Sequence, residues 1–279
     1  MIERNKLKIL FWNARGIQHK LFELYEFLDD NFVDLCCISE THLKPTIHLH
    51  AHPNYYIYRF DRTDTRLGGV LAIIRRNIKH DLMPSLNTAL IETIGIEVHS
   101  QRRKIQIISC YVPGGASSDQ IRTHFENDVN ILTRRNSCFF AVGDFNAKHA
   151  SWNCNRSNLS GRILFEKAAD NGYFVLHSAD HTHHPSNSRQ QPSTIDLIVT
   201  NGHRPISEPV TTSLVSDHCA VLFEIELNEN IQSNILRTRF DYKAADWKLY
   251  GDLIDRELLT DRLHIDDITE IEQIDNLVS

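Results

Sequence analysis

The apolar residues of this chain fall in short runs, and several of those runs are apolar at consecutive rather than alternate positions. Leu7–Asn13, Val33–Ser39, Gly69–Ile74, Cys138–Val142, Ile195–Thr200 and Cys219–Leu227 are of this kind. A strand with apolar side chains on both faces must be covered on both, so a sheet open to water on one side is excluded. Tyr55–Phe60 and Tyr173–Leu176 add shorter strands, and Ile91–His99 with Lys104–Val112 reads as a hairpin closed by the charged turn Ser100–Arg103. Before residue 230, helical spacing is confined to three stretches. Lys20–Asp30 carries Leu21, Leu24, Tyr25 and Leu28 on one face; Ser118–Arg134 carries Ile121, Phe125, Val129 and Leu132; Ser160–Asn171 stops near Gly172. Many strands and few helices predict an α/β fold: a four-layered α/β sandwich of two packed mixed β-sheets flanked by helices.

A chain of 279 residues allows one large domain or two small ones. The composition, 41% apolar and 24% charged, is that of a globular protein. No run reaches the roughly 18 apolar residues of a membrane span. The first residues show no secretory h-region, and six cysteines without a CxxC pair read as reduced, mostly buried thiols of an intracellular protein. The net charge of −6 is unevenly spread. Residues 241–279 hold eleven acidic against four basic side chains, which leaves residues 1–240 at +1. Nucleic-acid binding is therefore not excluded, since the local face presented to phosphate decides it. The shift divides the chain into a body, 1–230, and an acidic helical tail, 231–279. In that tail Trp247, Tyr250, Ile254 and Leu258, then Ile265, Ile268, Ile271, Ile274 and Leu277, recur at helical spacing.

The apolar runs end in small polar residues of chemically useful types. Asn13 closes the first and Glu40 follows the second; Tyr111 lies near the end of another. Asp144 and Asn146 follow Cys138–Val142, Asp196 lies within STIDLIV, and Asp217 and His218 precede the last run. Chemistry in layered α/β folds collects where strand ends meet loops. If these ends converge, they bring together four carboxylates, two carboxamides, an imidazole and a phenol, a set suited to a hard, oxygen-seeking cation such as magnesium rather than zinc. Taken singly each piece is weak: the GDFN tetrapeptide also reads as a plain turn. The histidine groups His48, His50, His52 and His181, His183, His184 lack zinc-site spacing.

Six motifs in order carry a family resemblance: FWNARG (11–16), ISETHL (38–43), SCYVPGG (109–115), VGDFNAKH (142–149), STIDLIVT (193–200) and SDHCAV (216–221). Together they resemble the endonuclease/exonuclease/phosphatase superfamily and, more closely, the apurinic-type endonuclease domain of non-LTR, jockey-like retrotransposons. The tail segment FDYKAADWKLY is similar to the stretch that precedes a reverse transcriptase in such elements.

The resemblance implies a metal-dependent DNA endonuclease that nicks its target to leave a 3′-hydroxyl and a 5′-phosphate, the hydroxyl then priming reverse transcription. It implies Mg2+, with Mn2+ as a substitute, held by Glu40, Asn13 and Asp217. Asp144 and Asn146 would handle the attacking water; His218, held by Asp196, would donate to phosphate, with Tyr111 and Asp217 in support. Double-stranded DNA is the implied substrate, and a reverse transcriptase domain of the same polyprotein, absent from these residues, the implied partner. Activity is expected in the nucleus. DNA contacts are expected from Arg15, Arg62, Arg66, Arg102, Arg103, Lys104, Thr182 and Ser193. The alternatives are an abasic-site repair endonuclease and a related phosphodiesterase or phosphatase of the same superfamily.

Overall fold

The computed structural model describes residues 5–63, 67–101, 103–135, 137–187, 189, 191–202, 207–227, 231, 246–249 and 251–252. In chain order the elements are β1 (Lys6–Asn13), α1 (Leu21–Asp30), β2 (Leu35–Ser39), β3 (Tyr55–Phe60), β4 (Val70–Arg75), β5 (His80–Leu82), β6 (Glu92–His99) and β7 (Lys104–Tyr111). A helix over 118–133, α2, follows, then β8 (Cys138–Asp144), α3 (Leu159–Asn171), β9 (Phe174–Leu176), β10 (Asp196–Thr200), β11 (Val210–Thr212) and β12 (Ala220–Glu226). The strands form two six-stranded sheets, ordered β11-β12-β1-β2-β4-β3 and β5-β6-β7-β8-β10-β9. Both are mixed, with a parallel pair at the centre: β1 with β2, and β7 with β8. The expected α/β sandwich is the observed fold.

The unbroken apolar runs follow from this layering. Along β1, Leu7, Ile9 and Phe11 point between the sheets, where they meet Phe140, Val142 and Ile198 of the second sheet. The intervening Leu10 and Trp12 point outward under Leu21, Leu24 and Leu28 of α1. The outer face of the second sheet, with Ile108, Cys110, Phe139 and Ala141, is covered by Phe125, Val129 and Leu132 of α2 and Leu164 of α3. Successive side chains of a strand point to opposite faces, and here both faces are dry. One buried carboxylate pins a loop: Asp128 accepts from the backbone N–H groups of Ala89, Leu90 and Ile91 at 2.9, 2.6 and 2.9 Å. All six cysteines are free thiols, four buried and two half-buried.

Three details differ from the sequence reading. The edge strands β5 and β11 have three residues each, too few to show a period. The helix over 118–133 contains a widened π turn at Ile121–Phe125. Strand β8, expected to end at Val142, continues through Gly143 to Asp144. The chain divides into two units, Met1–Leu236 and Arg237–Ser279. In the second, 247–249 and 251–252 are helical, and the remainder of the expected acidic helices lies outside the described residues.

Candidate active site

Register brings the polar strand ends together. Asn13 sits opposite Ser39 in the β1–β2 pair, which sets it beside Glu40. Tyr111 lies opposite Asp144 in the β7–β8 pair, and Asp196 lies opposite Asp144 on the other side. The last two residues of the site come from the loop before β12. The Ser216 hydroxyl donates to Asn13 O at 2.9 Å, and Cys219 N donates to Thr182 O at 2.7 Å, so Asp217 and His218 are fixed between the two sheets. One open cleft of about 430 Å³ is lined by Arg15, Glu40, Tyr111, Asp144, Asn146, His183, Asp217 and His218, among others.

Within the cleft a single carboxamide joins the sheets. Asn13 Nδ2 donates to Glu40 Oε1 at 2.9 Å and to Asp144 Oδ2 at 2.8 Å. Asp144 Oδ1 accepts from Asn146 N at 2.9 Å, and Asn146 Nδ2 donates to Val112 O at 2.8 Å. His218 Nδ1 pairs with Asp196 Oδ2 at 2.9 Å, which leaves Nε2 facing Asp144 Oδ2 at 3.9 Å. Glu40 and Asn146 adopt left-handed backbone angles, φ 49° and 44°. A non-glycine residue there is strained, and such strain clusters at functional sites.

These contacts set the charges. Burial alone would raise the Glu40 carboxyl, but hydrogen bonds from His42, Asn13 and Tyr111, with the His42 charge, bring it down to about 2. Burial and the charge of Asp196 push Asp144 well above the usual carboxylate range, against the pull of His218, Asn146 N–H and Asn13. Burial works against a charged His218, yet Asp196, Asp144 and Asp217 raise it to about 9. His183, its ring 4.5 Å from that of His218, is lowered to about 4 by burial and by the His218 charge. Neutral pH therefore finds an ionised Glu40, a protonated His218 and a neutral His183. A histidine raised on folding contributes stability that is complete below its unfolded value, 6.5, and lost as pH rises through about 9. Metal-free protein is accordingly expected to lose urea resistance between pH 6.5 and 9, and His218→Gln to flatten that region of the profile. A slope unchanged in the variant would remove His218 as its source.

Asp144, Asp196 and His218 place ligand atoms within 4.8 Å of one another and can hold a metal ion. Among the described residues the buried Asp196 Oδ1 has no hydrogen-bond donor, an acceptor that a bound cation would satisfy.

Residues 105–222 match the family described as endonuclease-reverse transcriptase. The chain is similar to the RNA-directed DNA polymerase from mobile element jockey of Drosophila funebris, 28% identical over 223 residues, which cover 78% of this chain and 24% of that protein. The probable RNA-directed DNA polymerase from transposon BS of Drosophila melanogaster is 27% identical over 226 residues, 80% of this chain and 24% of the relative. The chain spans about a quarter of the length of these relatives. The endonuclease domain of TRAS1, a telomere-specific non-LTR retrotransposon, superposes with a TM-score of 0.64 at 15% identity, covering 80% of this chain and 100% of that one. These matches support reading the chain as similar to the endonuclease domain of non-LTR retrotransposons, with the fold of that domain. The AP endonuclease LMAP from Leishmania major shares the fold, with a TM-score of 0.64 at 13% identity over 81% of this chain and 92% of that one.

The expected site residues meet in one cleft, where several of them make contacts with one another. Asn13 donates to two carboxylates and its Oδ1 accepts from Arg15 N at 3.1 Å, so it bridges rather than offering a free ligand oxygen. The Tyr111 hydroxyl is bonded to Glu40. The Asp217 carboxylate takes the Arg15 guanidinium and the Ser216 hydroxyl. Arg15 is exposed at the cleft edge.

The other expected DNA contacts fall elsewhere. Thr182 and Ser193 are buried. Thr182 Oγ1 accepts from the N–H groups of Ile195 and Asp196, both at 3.3 Å, and so positions Asp196 instead of touching DNA. Arg62 is paired with Glu92 at 2.8 Å. Arg103 and Lys104 open β7, at its end opposite Tyr111. Seven steps of ~3.3 Å put that turn roughly 23 Å from the cleft, and Lys104 is bonded to Glu97. Arg66 and Arg102 lie outside the described residues. Sequence reading missed His42, whose Nε2 is 3.2 Å from Glu40 Oε2, and His183. His42 lies inside the ISETHL motif, two residues past Glu40, and that spacing is the available signal. His183 reads from sequence only as a poor zinc candidate.

Proposed function

We propose that this domain is a magnesium-dependent DNA endonuclease that hydrolyses one strand of double-stranded DNA, leaving a 3′-hydroxyl and a 5′-phosphate. The observation that carries the reading is the Asn13 bridge, which holds Glu40 of one sheet and Asp144 of the other in a single cleft beside His218. Glu40 and Asp217 would be the oxygen ligands for Mg2+ or Mn2+, which when bound would supply Lewis-acid neutralisation of phosphate charge. Asp144 takes the proton of the attacking water, its raised basicity matched to neutral pH. Asn146 fixes the orientation of Asp144 through its backbone N–H. His218 donates Nε2–H to a non-bridging phosphate oxygen, its tautomer set by Asp196 on Nδ1. The P–O3′ bond breaks as the water oxygen bonds to phosphorus, and the departing 3′-oxygen takes a proton from solvent water in the open cleft.

The jockey and BS relatives are named as RNA-directed DNA polymerases, which supports a reverse transcriptase on the same polyprotein; in the wider role proposed here the nick primes that polymerase, on DNA in the nucleus. The test is supercoiled plasmid incubated with Mg2+ or with chelator. Wild-type protein is expected to produce nicked circles only with the metal, and a polymerase should extend those nicks without prior phosphatase treatment. Glu40→Gln should nick far more slowly at the same Mg2+ concentration. Equal nicking in chelator would overturn the metal-dependent reading.

A further inference from the structure

A second cleft, of about 650 Å³, adjoins the active one. Its walls include Lys148, Asn155 and Arg156 on one side and Arg189, Gln191 and Ser193 on the other, and no Asp or Glu lines it among the described residues. That composition stands out in a chain of net charge −6. Some cations elsewhere are matched, among them Arg15 with Asp217, Arg59 with Asp61 and Arg62 with Glu92. Among the described residues Lys148, Arg156 and Arg189 have no carboxylate within ion-pair distance.

The cleft is built rather than incidental. Asn155 Nδ2 donates to Gln191 Oε1 at 3.1 Å and ties the two walls together. Lys148 is clamped through its backbone: its N–H donates to Asn158 Oδ1 at 2.9 Å and its carbonyl accepts from Asn158 N at 2.9 Å. Gly161 lies so close that a Cβ there would sit 1.9 Å from Lys148 O. Asn158 Nδ2 also donates to Asn146 O at 2.7 Å, which locks Lys148 to the active cleft. The two clefts share a wall. Ser193 of one is backbone-paired with His183 of the other at 2.9 and 3.1 Å, and the Lys148 charge is felt at His183.

We propose that this acid-free cleft binds the phosphodiester backbone of the DNA strand flanking the cleavage point, with Lys148 and Arg156 as its main phosphate contacts. The proposal rests on the endonuclease reading for its ligand. A strand carries one phosphate per ~3.4 Å of helix axis, so a strand seated at Asp144 and continuing past the His183–Ser193 wall places further phosphates beside these cations. Such contacts position the duplex and carry no sequence information.

The test is fluorescence anisotropy of a labelled duplex with full-chain protein in chelator over a range of salt, where no cleavage interferes. Each phosphate contact contributes ~0.9 to the log–log salt slope, so the double variant Lys148→Gln, Arg156→Gln should show a slope shallower by about 1.8. The charge-keeping variant Lys148→Arg, Arg156→Lys should keep the wild-type slope, which separates lost charge from lost structure. In Mg2+, the Gln variant should raise KM for plasmid nicking and leave kcat within about twofold, as expected for loss of uniform binding. A Gln variant with the wild-type slope overturns the proposal. Wild-type protein that binds with the full slope but never nicks would overturn the endonuclease reading, and a shallower Gln slope in that case would still support the cleft.

Discussion

Asp144→Asn is expected to slow plasmid nicking by about 10²–10⁴-fold, the range a positioned general base supplies. The substitution keeps the shape of the side chain and leaves one oxygen to accept from Asn146 N, at the cost of the acceptor for Asn13 Nδ2, and it removes the one group among the described residues of the cleft whose environment makes it a good base near neutral pH. Glu40, held at about 2, is too weak a base for that role, and His218, raised to about 9, is already protonated. DNA affinity should not fall with the rate. Asp144 is an anion facing a polyanion, so neutralising it relieves repulsion, and anisotropy in chelator should give binding at least as tight as wild type. The combination of lost rate and kept affinity is what distinguishes a proton acceptor from a substrate-holding group. Nicking by the Asn variant at the wild-type rate would take proton transfer away from Asp144.

The features of this protein that can be read from its sequence are those written locally. The sandwich is legible because residues such as Leu7, Leu10 and Trp12 must each find a dry neighbour, and consecutive apolar positions leave no face for water. Most candidate site residues are legible because a polar side chain directly follows each apolar run, as Glu40 follows Ser39; their roles come from resemblance to a family. Pairing is not written locally. Nothing near Asp144 in the chain specifies that Tyr111 and Asp196 flank it, since that adjacency is made by strand register across 33 and 52 residues. The basic turn at Arg103 and Lys104 misleads for the same reason. A hairpin has two ends, and local sequence does not say which one faces the site. Thr182 is expected at DNA through resemblance to the family, whereas in the fold it is buried and its hydroxyl accepts from the Asp196 N–H.

Gly143→Ala is expected to destabilise the protein by about 3 kcal/mol or more, at the upper end of what overpacking a core produces, and to remove activity with it. In the sequence this glycine looks like a turn residue. In the structure it is the penultimate residue of β8, and its φ is not among the positive ones, so backbone freedom is not what the position requires. Space is. A Cβ at Gly143 would lie 1.9 Å from Cys110 O and 2.6 Å from Cys110 C, both backbone atoms of the neighbouring β7, and neither can rotate away. The two central strands of the second sheet would be forced apart at the pair just before Tyr111 meets Asp144. Displacement there reaches Asp196 through β10, and His218 through Asp196. Gly115→Ala is the matched control: no atom outside its immediate chain neighbours lies within 4 Å of the added methyl group, and its stability should stay within about 0.5 kcal/mol of wild type. Urea denaturation of both variants decides the matter. If Gly143→Ala unfolds at the wild-type midpoint, the strands can separate freely at that point, and the close β7–β8 contact is not what fixes Asp144 in the cleft.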